Sequence, residues 1–198
     1  MDAIEKLRRS FEDCTRCGLS ETRTHVVFGE GNPKAEIMLI GEAPGKNEDE
    51  QNRPFIGMAG KLLNDLLEKI GMSREAVFIA NVVKCRPPEN RNPSAEEIKT
   101  CLPYLWQQVD LIRPRIIGTL GNFAAHAVLG QKVAITKVRG RHYYVKNVLV
   151  VPMLHPAAAL HQGNLRPALL EDFQNLKKII AAPRKTPAGA EQTGLFPG

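Results

Sequence analysis

The chain has 198 residues, 43% hydrophobic and 24% charged, the balance of an ordinary globular protein with length enough to bury a sizeable core. No apolar run approaches the roughly 20 residues a membrane helix needs, and the N-terminus lacks a signal-peptide core, so no membrane association and a cytoplasmic location are expected. The net charge of +6 suits a polyanionic partner, while an aromatic content of only 6% excludes an extended base-stacking surface and leaves room for a single aromatic platform.

In chain order, Ile4, Leu7 and Phe11 predict a short amphipathic helix over residues 2–13 that leads into Cys14. Cys14-Thr15-Arg16-Cys17 then reads as a ligand knuckle in a loop, and residues 24–31 as an extended lead-in to an Asn32-Pro33 turn. Ile37-Met38-Leu39-Ile40 is a short buried strand that runs straight into Gly41-Glu42-Ala43-Pro44-Gly45. Ligands collect at the carboxyl ends of strands in open α/β sheets. This turn is therefore either the floor of a site or a tight turn carrying a solvated glutamate.

Residues 46–54 read as a polar loop with a solvated acidic run, Glu48-Asp49-Glu50. After Phe55-Ile56-Gly57, the residues Leu62, Leu63, Leu66, Leu67 and Ile70 form one helical stripe that ends at Gly71. Residues 77–83 predict a second buried strand, interrupted by Asn81 near its carboxyl end. A long loop containing Cys85 follows, and Ser94 with Glu97 gives a capping box that starts a helix reaching about residue 109. Residues 115–120 predict a third strand, 121–129 a helix, and 133–145 a hairpin or irregular excursion around Arg139-Gly140-Arg141. Residues 148–154 predict a fourth strand ending in His155-Pro156, and 166–181 a last helix.

The alternation of strands and helices predicts an α/β fold, a parallel sheet with helices on both faces. Residues 1–182 form the expected domain, and 183–198 lose all periodicity and read as a disordered tail.

Cys14, Cys17, Cys85 and Cys101 are the only cysteines. In a cytosolic setting they favour a metal centre or redox pair over disulfides. Four thiolates suit tetrahedral zinc or an iron–sulfur cluster. The widely split second pair favours the larger cluster. The plain alternative is a buried core thiol at Cys101 beside a Cys14/Cys17 redox pair.

Together the four cysteines, Gly41-Glu42-Ala43-Pro44-Gly45, Arg53-Pro54-Phe55-Ile56-Gly57, Asn81-Val82-Val83-Lys84-Cys85-Arg86-Pro87-Pro88, Ile135-Thr136-Lys137-Val138-Arg139-Gly140 and His155-Pro156 resemble family 4 uracil-DNA glycosylases. The resemblance covers about residues 1–181. It implies a three-layer α/β/α sandwich around a central four-stranded parallel sheet, and a [4Fe-4S] cluster held by Cys14, Cys17, Cys85 and Cys101. It also implies removal of uracil from single- or double-stranded DNA in base excision repair. The chain is expected to act as a monomer. Ala43 stands where family 1 enzymes carry a catalytic aspartate, which makes Glu42 the candidate for handling water, with Glu48 and Asn90 as alternatives. A related branch traps DNA covalently through a histidine on an inserted basic loop; residues 85–94 lack that insert.

The chemistry assigns each residue a task. A stacked base cannot be attacked, so the nucleotide is flipped into a pocket. The Asn81 amide can accept from uracil N3–H and donate to O4, while cytosine offers the opposite pattern. Phe55 would stack on the ring, His155 would donate to the O2 anion of the leaving group, and backbone amides of Gly41 to Ala43 would fix the ring. Residues 155–160 would present an apolar loop to DNA as a wedge. Gln192-Thr193-Gly194-Leu195-Phe196 resembles the short peptide by which bacterial repair proteins dock on the sliding clamp. The competing reading is a non-catalytic iron–sulfur or zinc DNA-binding module attached to replication or repair machinery, which would not need Glu42, Asn81 and His155 together.

Overall fold

The computed structural model describes residues 2–183. The tail and its clamp-like peptide, Gln192 to Phe196, lie outside the described residues. Six strands, β1 (Glu30–Gly31), β2 (Ile37–Gly41), β3 (Phe78–Asn81), β4 (Ile116–Leu120), β5 (Tyr143–Val145) and β6 (Val148–Met153), form one sheet in the order β1-β3-β2-β4-β6-β5. The four inner strands are parallel. They are the apolar runs visible in the sequence, buried throughout apart from the first residues of β6, as expected for strands covered on both faces. The expected parallel centre stands, and antiparallel edge strands extend it: β1 pairs with β3, and β5 with β6.

Helices cover both faces of the sheet. They are α1 (Ala3–Arg9), α2 (Lys46–Gln51), α3 (Met58–Lys69), α4 (Ala95–Ile112), α5 (Gly121–Leu129), α6 (Ile135–Val138), α7 (Pro156–His161) and α8 (Arg166–Ala181). On one side α3, α7 and α8 pack on one another; α1 rests against α4, and α5 lies over β2, β4 and β6. The capping box predicted for α4 is present, with Ser94 Oγ accepting from Glu97 N–H and Glu97 returning the bond to Ser94 N–H. The region 133–145 holds both alternatives, a one-turn helix α6 and then the hairpin of β5 with β6.

Two expectations are corrected. Residues 46–54 are not a polar loop throughout, because Lys46–Gln51 forms α2, with the buried Asp49 carboxylate accepting from the N–H groups of Thr24 and His25. Residues 155–160 are not an apolar loop offered as a wedge. Pro156 occupies the first turn of α7, where its fixed φ and missing N–H are tolerated, and the alanines and Leu160 are buried or half-buried.

Candidate active site

Successive βα connections at one edge of the sheet bring the expected residues together. Gly41, at the end of β2, is the register partner of Asn81, at the end of β3. A β-carbon on Gly41 would lie 2.5 Å from Asn81 Oδ1 and 2.5 Å from Phe55 Cζ, so only glycine lets the amide and the ring close on this point. His155 lies two residues past the end of β6, and its ring stacks near Phe55 at 5.6 Å between centroids, with 29° between the planes. Gly121, at φ +88° where β4 turns into α5, completes the seat of the imidazole. A β-carbon there would come within 3.1 Å of His155 Cβ.

The polar groups of this wall are poised for a ligand. Asn81 is 2% exposed, yet its Oδ1 has no hydrogen-bond partner among the described residues. An unsatisfied buried acceptor costs about 1–3 kcal/mol, so it marks a place where an incoming N–H is welcome. His155 Nδ1 accepts from the Ala157 N–H at 3.0 Å, which puts the proton of the neutral ring on Nε2. Burial lowers the imidazole pKa to about 4, so at neutral pH the ring is an uncharged Nε2–H donor.

Glu42 is half-buried, with no side-chain hydrogen bond or ion pair among the described residues. Burial raises its pKa to about 7, where a carboxylate can exchange a proton at working pH. Its main chain is fixed by a bond from Val83 N–H to Glu42 O at 3.1 Å. Ala43 adds a half-buried methyl beside it.

The two alternatives to Glu42 are otherwise engaged. Glu48 is not part of a solvated run: its Oε1 accepts from the N–H groups of Ile56 and Gly57, both at 2.9 Å. Asn90 is exposed, and its Oδ1 accepts from Arg86 Nε at 2.8 Å.

The four cysteines are free thiols. Burial pushes the Cys85 pKa up to about 12, against the nearby Arg23, with Cys101 and Cys17 adding to the rise. Burial also raises Cys101, offset by Lys84, with Cys17 and Cys14 adding to it. Among the described residues, however, no three cysteine, histidine or acidic groups converge as they would around one metal ion. Lys84, fully buried beside this centre, donates through Nζ to Asn81 O at 2.8 Å and to Gln108 Oε1. The cysteine centre and the Asn81 strand end thus share one side chain.

A family model described as the uracil DNA glycosylase superfamily matches residues 28–177. The chain belongs to that superfamily. Its relatives include three proteins named type-4 uracil-DNA glycosylase. The one from Sulfurisphaera tokodaii is 48% identical over 93% of this chain and 88% of its own. Those from Archaeoglobus fulgidus and Thermotoga maritima are 41% and 43% identical, over 94% and 90% of this chain and 98% and 95% of their own. Within the superfamily the chain groups with the type-4 proteins. Phe55, Asn81 and His155 all fall inside the matched span, as do Gly41 and Glu42.

Proposed function

We propose that this chain is a monofunctional uracil-DNA glycosylase of the type-4 group, hydrolysing the N-glycosidic bond of a flipped deoxyuridine and leaving an abasic site. The observation that carries the reading is the unpaired Oδ1 of Asn81, held in a closed wall with Gly41, Phe55 and His155. Uracil N3–H donates to that oxygen, and the Asn81 amide N–H donates to O4. Phe55 stacks on the ring. As the bond between C1′ and N1 breaks, its electron pair passes to the pyrimidine and charge collects on O2. The neutral Nε2–H of His155 donates to that oxygen, so no proton need leave the enzyme. The Glu42 carboxylate stabilises the cationic sugar and takes a proton from the water that adds to C1′, a task suited to its raised pKa.

Cys14, Cys17, Cys85 and Cys101 are proposed as the ligands of a [4Fe-4S] cluster. The all-thiolate donor set supports it, and so does the widely split second pair, with Cys85 in a loop and Cys101 on α4. These residues would hold the cluster between the N-terminal segment, the Cys85 loop and α4, where it would serve as a structural cross-link. Uracil-containing DNA is the proposed substrate. A monomer in the cytoplasm, with the sliding clamp reached through Gln192 to Phe196, is the proposed setting.

The test is single-turnover excision on a uracil-containing oligonucleotide, read out by alkaline cleavage of abasic sites. Product at wild-type rates, lost in Asn81→Ala, supports the reading. No product above the Asn81→Ala control overturns it.

A further inference from the structure

Phe55, the aromatic wall of the pocket, sits at φ +50°, in the left-handed region that a phenylalanine rarely adopts. Such a conformation persists only where its surroundings impose it. Glu48 does so from one side, gripping the N–H groups of Ile56 and Gly57. On the other side the only side chain among the described residues bonded to the loop's carbonyl groups is Arg74, from the short turn before β3. Arg74 donates from Nη2 to Pro54 O, and from Nη1 to Phe55 O at 3.1 Å and Asn64 Oδ1 at 3.2 Å. Its Nε donates to Glu30 Oε1 at 2.8 Å, and Glu30 is itself forked by Arg53 at 2.8 and 3.0 Å. The Arg74 side chain is 12% exposed. Beneath the loop, a β-carbon on Gly60 would come within 1.7 Å of Phe55 O, so only a glycine in α3 lets the carbonyl lie there.

We propose that Arg74 is a positioning residue for base recognition: it fixes the angle of the Phe55 ring by holding the carbonyl groups on both sides of that strained residue. The inference rests on the glycosylase reading, since the ring matters only if a base stacks on it. Arginine suits the task because its planar fork aims several N–H groups in set directions, which a lysine ammonium cannot reproduce. Arg74 does not face the reacting atoms, and its effect passes through the ring. A stack on the flipped base is made both before and during bond cleavage, so loosening it weakens binding without slowing the chemical step.

The test measures KM and kcat on a uracil oligonucleotide, and the inhibition constant of free uracil, in Arg74→Met, Arg74→Lys, Phe55→Leu and the Arg74→Met/Phe55→Leu double variant. Arg74→Met and Arg74→Lys are expected to raise KM and the uracil inhibition constant about five- to tenfold, a fraction of the worth of one base–aromatic stack, with kcat within about twofold. In the Phe55→Leu background the Arg74→Met change is expected to add less than about twofold, because its route of action is gone. Unchanged constants in the single variants overturn the proposal, as does an equal effect in both backgrounds, the mark of a merely structural residue. If Arg74→Met does not fold, Glu30→Gln, which loosens the guanidinium from behind, takes its place under the same criteria. An inactive wild-type protein would strike the glycosylase reading; an active one with unmoved constants strikes Arg74 alone.

Discussion

Gly41→Ala isolates the geometry of the pocket. The backbone at Gly41 is not in the left-handed region, so alanine meets no conformational penalty there and the substitution acts through its methyl group alone. That methyl would stand 2.5 Å from Asn81 Oδ1 and from the Phe55 ring, about 1 Å inside ordinary contact. Overpacking of this kind costs about 1–3 kcal/mol, which for a domain of this size lowers Tm by roughly 2–12 °C. The catalytic cost is larger, because the groups pushed aside are those that read and stack the base. A displacement of about 1 Å at the reacting geometry is worth on the order of 10²-fold in rate. Single-turnover excision and a thermal melt on the same preparation give the comparison. A Gly41→Ala protein that excises uracil within about threefold of wild type would refute the convergence of Asn81 and Phe55 on this point.

Excision should rise with pH through about 7 and then level off, since burial holds the Glu42 carboxyl protonated below that pH and the reaction uses the carboxylate. Glu42→Gln should be slow and lack this acid limb; a flat wild-type profile between about pH 5 and 9 would contradict the assignment. His155→Ala should lower kcat by about 10²–10³-fold, as removal of a preorganised donor to a developing oxyanion does elsewhere, and a change confined to KM would argue against leaving-group stabilisation. Asp172 has a side chain 1% exposed, pairs with Arg139 at 2.9 Å and accepts from Leu154 N–H, the residue before His155. Asp172→Ala should cost about 1–3 kcal/mol, because it orphans the buried Leu154 N–H while Arg139 keeps Glu171, and calorimetry checks it. Cys85→Ser should abolish visible absorbance together with bound iron and acid-labile sulfide; stoichiometric zinc in a colourless wild-type protein would refute the cluster.

Hydrophobic pattern made the body of the fold legible. The inner strands are largely apolar runs, and α5 falls on the expected residues between Gly121 and Gly130, as does α8, with proline in its first turn. α2 escaped because a helix whose sole buried residue is Asp49 carries no apolar stripe. α7 escaped because it is short, although proline after His155 was an available helix-start signal. β1 has two residues and exists through pairing with β3, information that is not local to Glu30 and Gly31. At the site, the strand ends carrying Gly41, Asn81 and His155 could be read from motif and topology. The parts that hold them could not. Glu48 looked like one of three solvated acids, and Arg74 is an isolated arginine whose acceptors, the Pro54 and Phe55 carbonyls with Asn64 and Glu30, all lie ten or more residues away in the chain.

The strand order carries a consequence for synthesis. Gly41 and Asn81 become neighbours as soon as β2 and β3 pair, both in the first half of the chain. His155 reaches them only once β4 has joined β2 and β6 has joined β4, and the β2–β4 pairing, of Ile37 with Ile116, spans far more chain than that of Gly41 with Asn81, which makes it the slow one. A growing chain can therefore own the base-reading amide well before it owns the imidazole that lets the base leave. On the glycosylase reading, scission of the sugar–base bond is reserved for the finished molecule, and an unfinished one bound to DNA cannot create abasic sites.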